Sequence, residues 1–247
     1  MKITIDRNVN YQKYYGIGAS GAWWAQIVGG WSNKDQNGEE IRNVISRLLY
    51  SKTKGIGMNI YRYNIGGGSA QSGGGSHHSG NGEYSDFARR AESFGNGDGK
   101  YDYSRDKNAV YMMKQAVKDG ADEVILFVNS PIEQLTKNGW AHLKKHQAFR
   151  TNLAKKNYSA FAKYCLDVTE HFVDEGLPIK YLSPINEPFW IWTGGQEGCH
   201  YTADETVEVL EMFALEMQKR GWYNPNAAQA QMINETKTKF EGIATQL

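Results

Sequence analysis

Between Tyr15 and Arg220 the chain repeatedly sets a short strand-like run ahead of a stretch with helical spacing, and that order restricts the fold more than any other feature. Tyr15-Gly-Ile-Gly-Ala-Ser20 is a glycine-rich strand candidate ending at Gly21-Ala-Trp-Trp24. From Glu39 to Tyr50 the residues Ile41, Val44, Ile45, Leu48 and Leu49 recur on one helical face. Met58 to Asn64 alternates like a strand and stops at Gly66-Gly67-Gly68. Lys107 to Asp119 reads as a helix, and Glu123-Val-Ile-Leu-Phe-Val-Asn129 as a strand buried on both faces. Leu153 to Glu175 reads as a long helix closed by Gly176 and Pro178. Lys180 to Pro184 is the fourth strand, and Thr202 to Arg220 the helix after it. Ala228 to Ile233 is a weak fifth strand candidate, and Thr236 to Gln246 a short last helix.

Alternation of this kind predicts an α/β fold with parallel strands joined by helical crossovers. Four clear units and a frayed fifth amount to half of a (β/α)₈ barrel of the TIM type. Residues 1–247 are therefore expected to be one partial barrel domain, truncated after about strand 5, since no linker, repeat or charge block marks a second domain. The Gly-, Ser-, His- and Asn-rich stretch from Gly66 to about Lys100 is too long for a plain connection and is expected to be a functional or a disordered loop.

Composition narrows the function. A formal charge of +1 supplies no global field for nucleic acid or an anionic membrane. No segment approaches the ~20 apolar residues of a membrane span. Met1 to Arg7 contains no apolar run like a signal peptide. A soluble protein is expected. Cys165 sits in a helical pattern and reads as buried, whereas Cys199 falls in a polar loop. His77 and His78 lack a third ligand at metal-binding spacing, His200 reads as structural, and Asp98-Gly99 lacks the closing glutamate of a calcium loop. No metal or cofactor is expected.

In a parallel barrel the reactive groups lie at the C-terminal ends of the strands. Here those ends are Ser20 to Trp24, Arg62 to Gly68, Asn129 to Pro131, and Asn186-Glu187-Pro188 followed by Phe189-Trp-Ile-Trp192. A glutamate at a strand end, with an amide before it and tryptophans after it, suits a general acid in a partly dry cleft. The amide can hydrogen-bond a sugar 2-hydroxyl, and aromatic faces suit sugar rings.

Gly16-Ile-Gly-Ala-Ser-Gly-Ala-Trp-Trp24, Arg62 to Gly68, Asn129-Ser-Pro131, Ser183-Pro-Ile-Asn-Glu-Pro188 and Gln196-Glu-Gly-Cys-His-Tyr201 together resemble glycoside hydrolase family 30, nearest its endo-β-1,6-galactanase-like branch. The resemblance covers about residues 14 to 222. It implies a retaining endo-glycosidase acting on β-1,6-linked galactan or a related β-glycan, with Glu187 as acid/base. It also implies that Arg62, Asn64, Asn129 and Asn186 line the reacting sugar's subsite; Trp24, Trp190 and Trp192 are expected to contact substrate. The nucleophilic glutamate of such enzymes ends strand seven, and no motif in this chain matches it. After Asn129-Ser-Pro131 the chain has Ile132-Glu133-Gln134 where the family usually places a proline and a large aromatic. Glu133 is a poor substitute nucleophile, because an adjacent strand would not set it across the sugar.

Little turnover is thus expected of residues 1–247 alone, and a homodimer or a complementing C-terminal half would close the barrel. The alternative is a non-catalytic half-barrel, natural or engineered, that folds and binds carbohydrate weakly or not at all. Members of the resembled family are mostly secreted.

Overall fold

The computed structural model describes residues 6, 8–9, 11–12, 14–71, 89–143, 147–193 and 195–222. His77, His78 and the expected fifth strand and last helix lie outside them. Four strands, β1 (Gly18–Ser20), β2 (Ile60–Asn64), β3 (Glu123–Phe127) and β4 (Ile179–Ser183), form one parallel sheet in the order β1-β2-β3-β4. Helices follow each strand: α1 (Trp24–Val28) and α2 (Ile41–Tyr50) after β1, α3 (Lys107–Asp119) after β2, α4 (Tyr158–Asp174) after β3, and α5 (Ala203–Lys219) after β4. This is half of a (β/α)₈ barrel, with four units among the described residues.

The period of two within each strand divides the sheet's faces. Tyr61, Tyr63, Val124 and Leu126 are buried, and they pack with Met112, Met113 and Ala116 of α3 and with Phe161, Cys165 and Phe172 of α4. Arg62 and Asn64 point to the other face, which in a closed barrel is the interior. Glycines in β1 follow from its closeness to β2. A Cβ on Gly18 would come within 2.2 Å of the Ile60 carbonyl oxygen, and one on Gly21 within 2.0 Å of the Tyr61 hydroxyl.

Two elements depart from the pattern read in the sequence. α4 begins at Tyr158, not Leu153. Leu153 instead pairs with Thr136 in an isolated bridge, and Lys155–Asn157 make a 3₁₀ turn. Its burial satisfied the apolar spacing without any helix. α1 was not expected, because five residues are too few to display a period. α5 carries a reciprocal capping box, in which the Glu205 amide donates to Thr202 Oγ1 while Glu205 Oε2 accepts from the Thr202 amide.

The described flanks of the long loop after β2 are packed. Ala91, Ser93 and Phe94 are fully buried, and Gly95 bridges to Tyr101. At the far end, Arg220 joins α5 to α4 through Asp167 at 2.5 Å and Glu170 at 3.0 Å. No described helix is long and apolar enough to cross a membrane.

Candidate active site

The ends of β2, β3 and β4 bring Arg62, Asn64, Asn129 and Asn186 into one hydrogen-bonded line. Arg62 Nη2 donates to Asn186 Oδ1 at 2.9 Å, Asn186 Nδ2 to Asn129 Oδ1 at 2.9 Å, and Asn129 Nδ2 to Asn64 Oδ1 at 3.3 Å. Arginine has only donors, so it fixes the sense of every amide after it. The line is therefore polarised away from Arg62. It ends at Asn64 Nδ2, a buried donor with no partner among the described residues.

Arg62 is held from below as well. Its guanidinium carbon lies 3.2 Å from the centre of the Phe127 ring. Burial lowers the Arg62 pKa, and the nearby Glu187 charge opposes that shift. Arg62 remains a cation, given how far its pKa lies from neutrality. Asn129 is 5% exposed, and each of its amide atoms makes one bond within the line.

Glu187 occupies unusual backbone. Its φ is +44°, in the left-handed region, although it is neither glycine nor asparagine and precedes a proline that favours extended geometry. Two donors fasten its carbonyl oxygen: the Trp190 amide and Trp192 Nε1, each at 3.1 Å. The carboxylate is exposed and makes no hydrogen bond to a described residue. A partly dry cleft was expected around it; among the described residues the group faces open space, since only half of a barrel surrounds it.

The aromatic residues divide. Trp190 is 63% exposed and Phe189 60%, so together they offer an apolar wall beside Glu187. Trp192 is 3% exposed, and its ring lies where a Cβ on Gly198 would approach to 2.0 Å. Trp192, expected at the substrate, is thus placed in the interior, with its indole N–H on the Glu187 carbonyl. Trp24 is half-buried, with Nε1 donating to the Ser20 carbonyl at 2.8 Å. Phe189 belongs to the aromatic strand end noted in the sequence but was not among the residues expected to contact substrate.

Glu197 was also missed as an individual residue. It is fully buried, and three donors converge on it: the Gly67 amide at 2.8 Å, the Ser69 amide at 3.0 Å and Ser69 Oγ at 2.5 Å. Burial pushes its pKa up to about 7 against the pull of those hydrogen bonds, and the Glu133 charge adds to the rise. Glu133 is 6% exposed in a 3₁₀ turn, with its amide donating to the Gly67 carbonyl at 2.9 Å. Ile132 beside it is fully buried and belongs to the core. Cys199, in its polar loop, is fully buried, and burial raises its thiol to about 11. Among the described residues no three His, Cys, Asp or Glu side chains gather where a metal could bind.

The family model for O-glycosyl hydrolase family 30 matches residues 1–241. The chain belongs to that family. It is 29% identical to the endo-β-1,6-galactanase of Hypocrea rufa, over 89% of this chain and 47% of the galactanase. It is 24% identical to an exo-β-1,6-galactobiohydrolase of Bifidobacterium longum subsp. longum, over 94% of this chain and 19% of that enzyme. The chain thus spans about half or less of the curated relatives it matches. Among solved structures, a conserved exported protein from Bacteroides fragilis superposes with a TM-score of 0.74 at 25% identity, covering 88% of this chain and 43% of that one. The catalytic domain of the family 30 xylanase C from Talaromyces cellulolyticus gives 0.59 at 17% identity, over 94% and 53%, a likeness of fold alone.

Proposed function

We propose that the protein is a retaining endo-glycosidase acting on β-1,6-linked galactan or a related β-glycan, with Glu187 as its acid/base. One observation carries the reading: an exposed carboxylate following β4, with no hydrogen bond to a described residue, lies near the charge of Arg62 and next in the chain to Asn186, with exposed Phe189 and Trp190 just beyond it. The 29% identity to a galactanase supports the linkage. Glu187 would protonate the glycosidic oxygen as it leaves, then take a proton from the water that resolves the glycosyl-enzyme. Asn186 would hold the 2-hydroxyl, with Asn129 and Asn64 keeping its amide in register. Trp190 and Phe189 would stack on sugar faces.

Retention requires a second carboxylate about 5 Å from the first. The buried Glu133 and Glu197 are unsuited: the Gly67 and Ser69 amides of the loop after β2 engage the Glu197 carboxylate, and Glu133 is only 6% exposed. That nucleophile is assigned to the additional part of the barrel that longer family members possess.

Reducing-sugar release from β-1,6-galactan, β-1,6-glucan and glucuronoxylan tests the reading, using the protein and its Glu187→Gln variant. Galactan should be cleaved fastest, and the variant should lose about a thousandfold or more in kcat, because leaving-group protonation disappears. Undiminished release by Glu187→Gln would sink the assignment. Binding without release in both proteins would favour a carbohydrate-binding half-barrel.

A further inference from the structure

Glu197 takes no part in the chemistry proposed above, yet it is the most enclosed carboxylate near it. Its two oxygens span a gap between loops. Oε2 accepts from Gly67 and Oε1 from Ser69, both in the loop after β2, while Glu197 itself belongs to the loop after β4. A Cβ on Gly67 would meet the Ala141 Cβ at 2.8 Å and the Pro131 carbonyl oxygen at 3.1 Å, so nothing larger than glycine fits there. The Gly67 carbonyl in turn receives the Glu133 amide of the loop after β3. Three strand-end loops therefore meet at one glycine.

The next residue extends the connection. The Gly198 amide donates to the Ala141 carbonyl at 2.8 Å, and its α-carbon carries the Trp192 ring. Trp192 Nε1 holds the Glu187 carbonyl. A continuous path of contacts thus runs from the β2 loop through Glu197, Gly198 and Trp192 to the backbone of Glu187.

We infer that Glu197 is a positioning residue, whose buried carboxylate fastens the β2 loop to the β4 loop and so sets where Glu187 stands opposite Arg62 and Asn64. The functional part rests on the acid/base reading of Glu187; the mechanical part does not. In Glu197→Gln one oxygen of the same shape remains, but the new amide NH₂ confronts either the Gly67 or the Ser69 N–H and one of these bonds is lost.

The test has two readouts. In residues 1–247, the indole N–H resonance of Trp192, assigned with Trp192→Phe, is followed together with those of Trp31 and Trp222. Glu197→Gln should move the Trp192 signal and leave the other two in place. Ser69→Ala, which removes one of the three donors, should move it less and in the same direction; it also stands in should Glu197→Gln fold poorly. An unmoved Trp192 signal in a folded variant, or equal displacement of all three indoles, overturns the inference.

In turnover assays, Glu197→Gln should lower kcat on β-1,6-galactan by about ten- to a hundredfold with KM nearly unchanged, the effect expected when a reacting group is misplaced by a fraction of its reach. Unchanged kcat beside an inactive Glu187→Gln overturns it too. Full activity in Glu187→Gln would instead refute the acid/base assignment, while the indole readout would still decide whether Glu197 joins the loops.

Discussion

Glu187 and Glu197 lie ten positions apart and illustrate opposite uses of one side chain. The first is exposed on strained backbone, its carboxylate without a hydrogen-bond partner among the described residues; the second is enclosed and its carboxylate accepts three hydrogen bonds. Enclosure gives Glu197 a pH signature. Its folded pKa, about 7, exceeds the ordinary 4.5, so between those values the native state holds a proton that the unfolded chain has released. Stability from this group is therefore complete below about pH 4.5 and is lost as pH rises through about 7, with a change on the order of 3 kcal/mol at most. The charges of Glu133 and Asp106 act nearby, and Glu133 adds to the rise. Urea unfolding across pH 4 to 8 should show this slope in the parent and a flatter one in Glu197→Gln; parallel curves would remove Glu197 as the source. The sequence could show that Glu187 ends a strand, since its neighbours are distinctive. It could not show that Trp192 is interior and Trp190 exposed, because both are tryptophans in one loop and only packing against Gly198 separates them.

At the scale of the element, legibility followed length and periodicity. α3 occupies the span that the spacing predicts, Lys107–Asp119, and β4 falls within a residue of its expected limits. α1 escaped notice at five residues, and the start of α4 was misplaced because Leu153 is buried by a bridge and not by a helix. The Thr202 and Glu205 pair that opens α5 was present in the sequence as a capping box. It has a further attachment here, since Thr151 also donates to Glu205. Thr202→Ala should lower stability by about 1 kcal/mol, read as a shift in the urea midpoint at constant slope. No shift would mean that Thr151 alone keeps Glu205 in place.

Across the whole molecule, the described sheet ends at β1 on one side and β4 on the other. Beside β4, a groove of about 750 Å³ runs between α4 and α5 and includes Leu166, Val173, Leu210, Phe213 and Met217. Leu210 is 44% exposed and Leu215 47%, apolar surface of the kind that draws proteins together. Residues 1–247 on their own are expected to associate, with mass in sedimentation rising above 27.8 kDa as concentration increases, and Leu210→Glu should reduce the effect. A constant 27.8 kDa for the parent would refute it. Strand order and the barrel family could be read from alternation and from strand-end motifs; the packing of this outer groove could not, because periodicity marks a helix's apolar face without saying what meets it. The sheet's direction carries one more consequence. All four strands point the same way, so both margins present the same sense of chain. A second sheet of like build can meet either margin with its reactive end aligned to this one. The unit is in that respect a repeatable half, and an eight-stranded ring could arise by duplication without reversing a single strand.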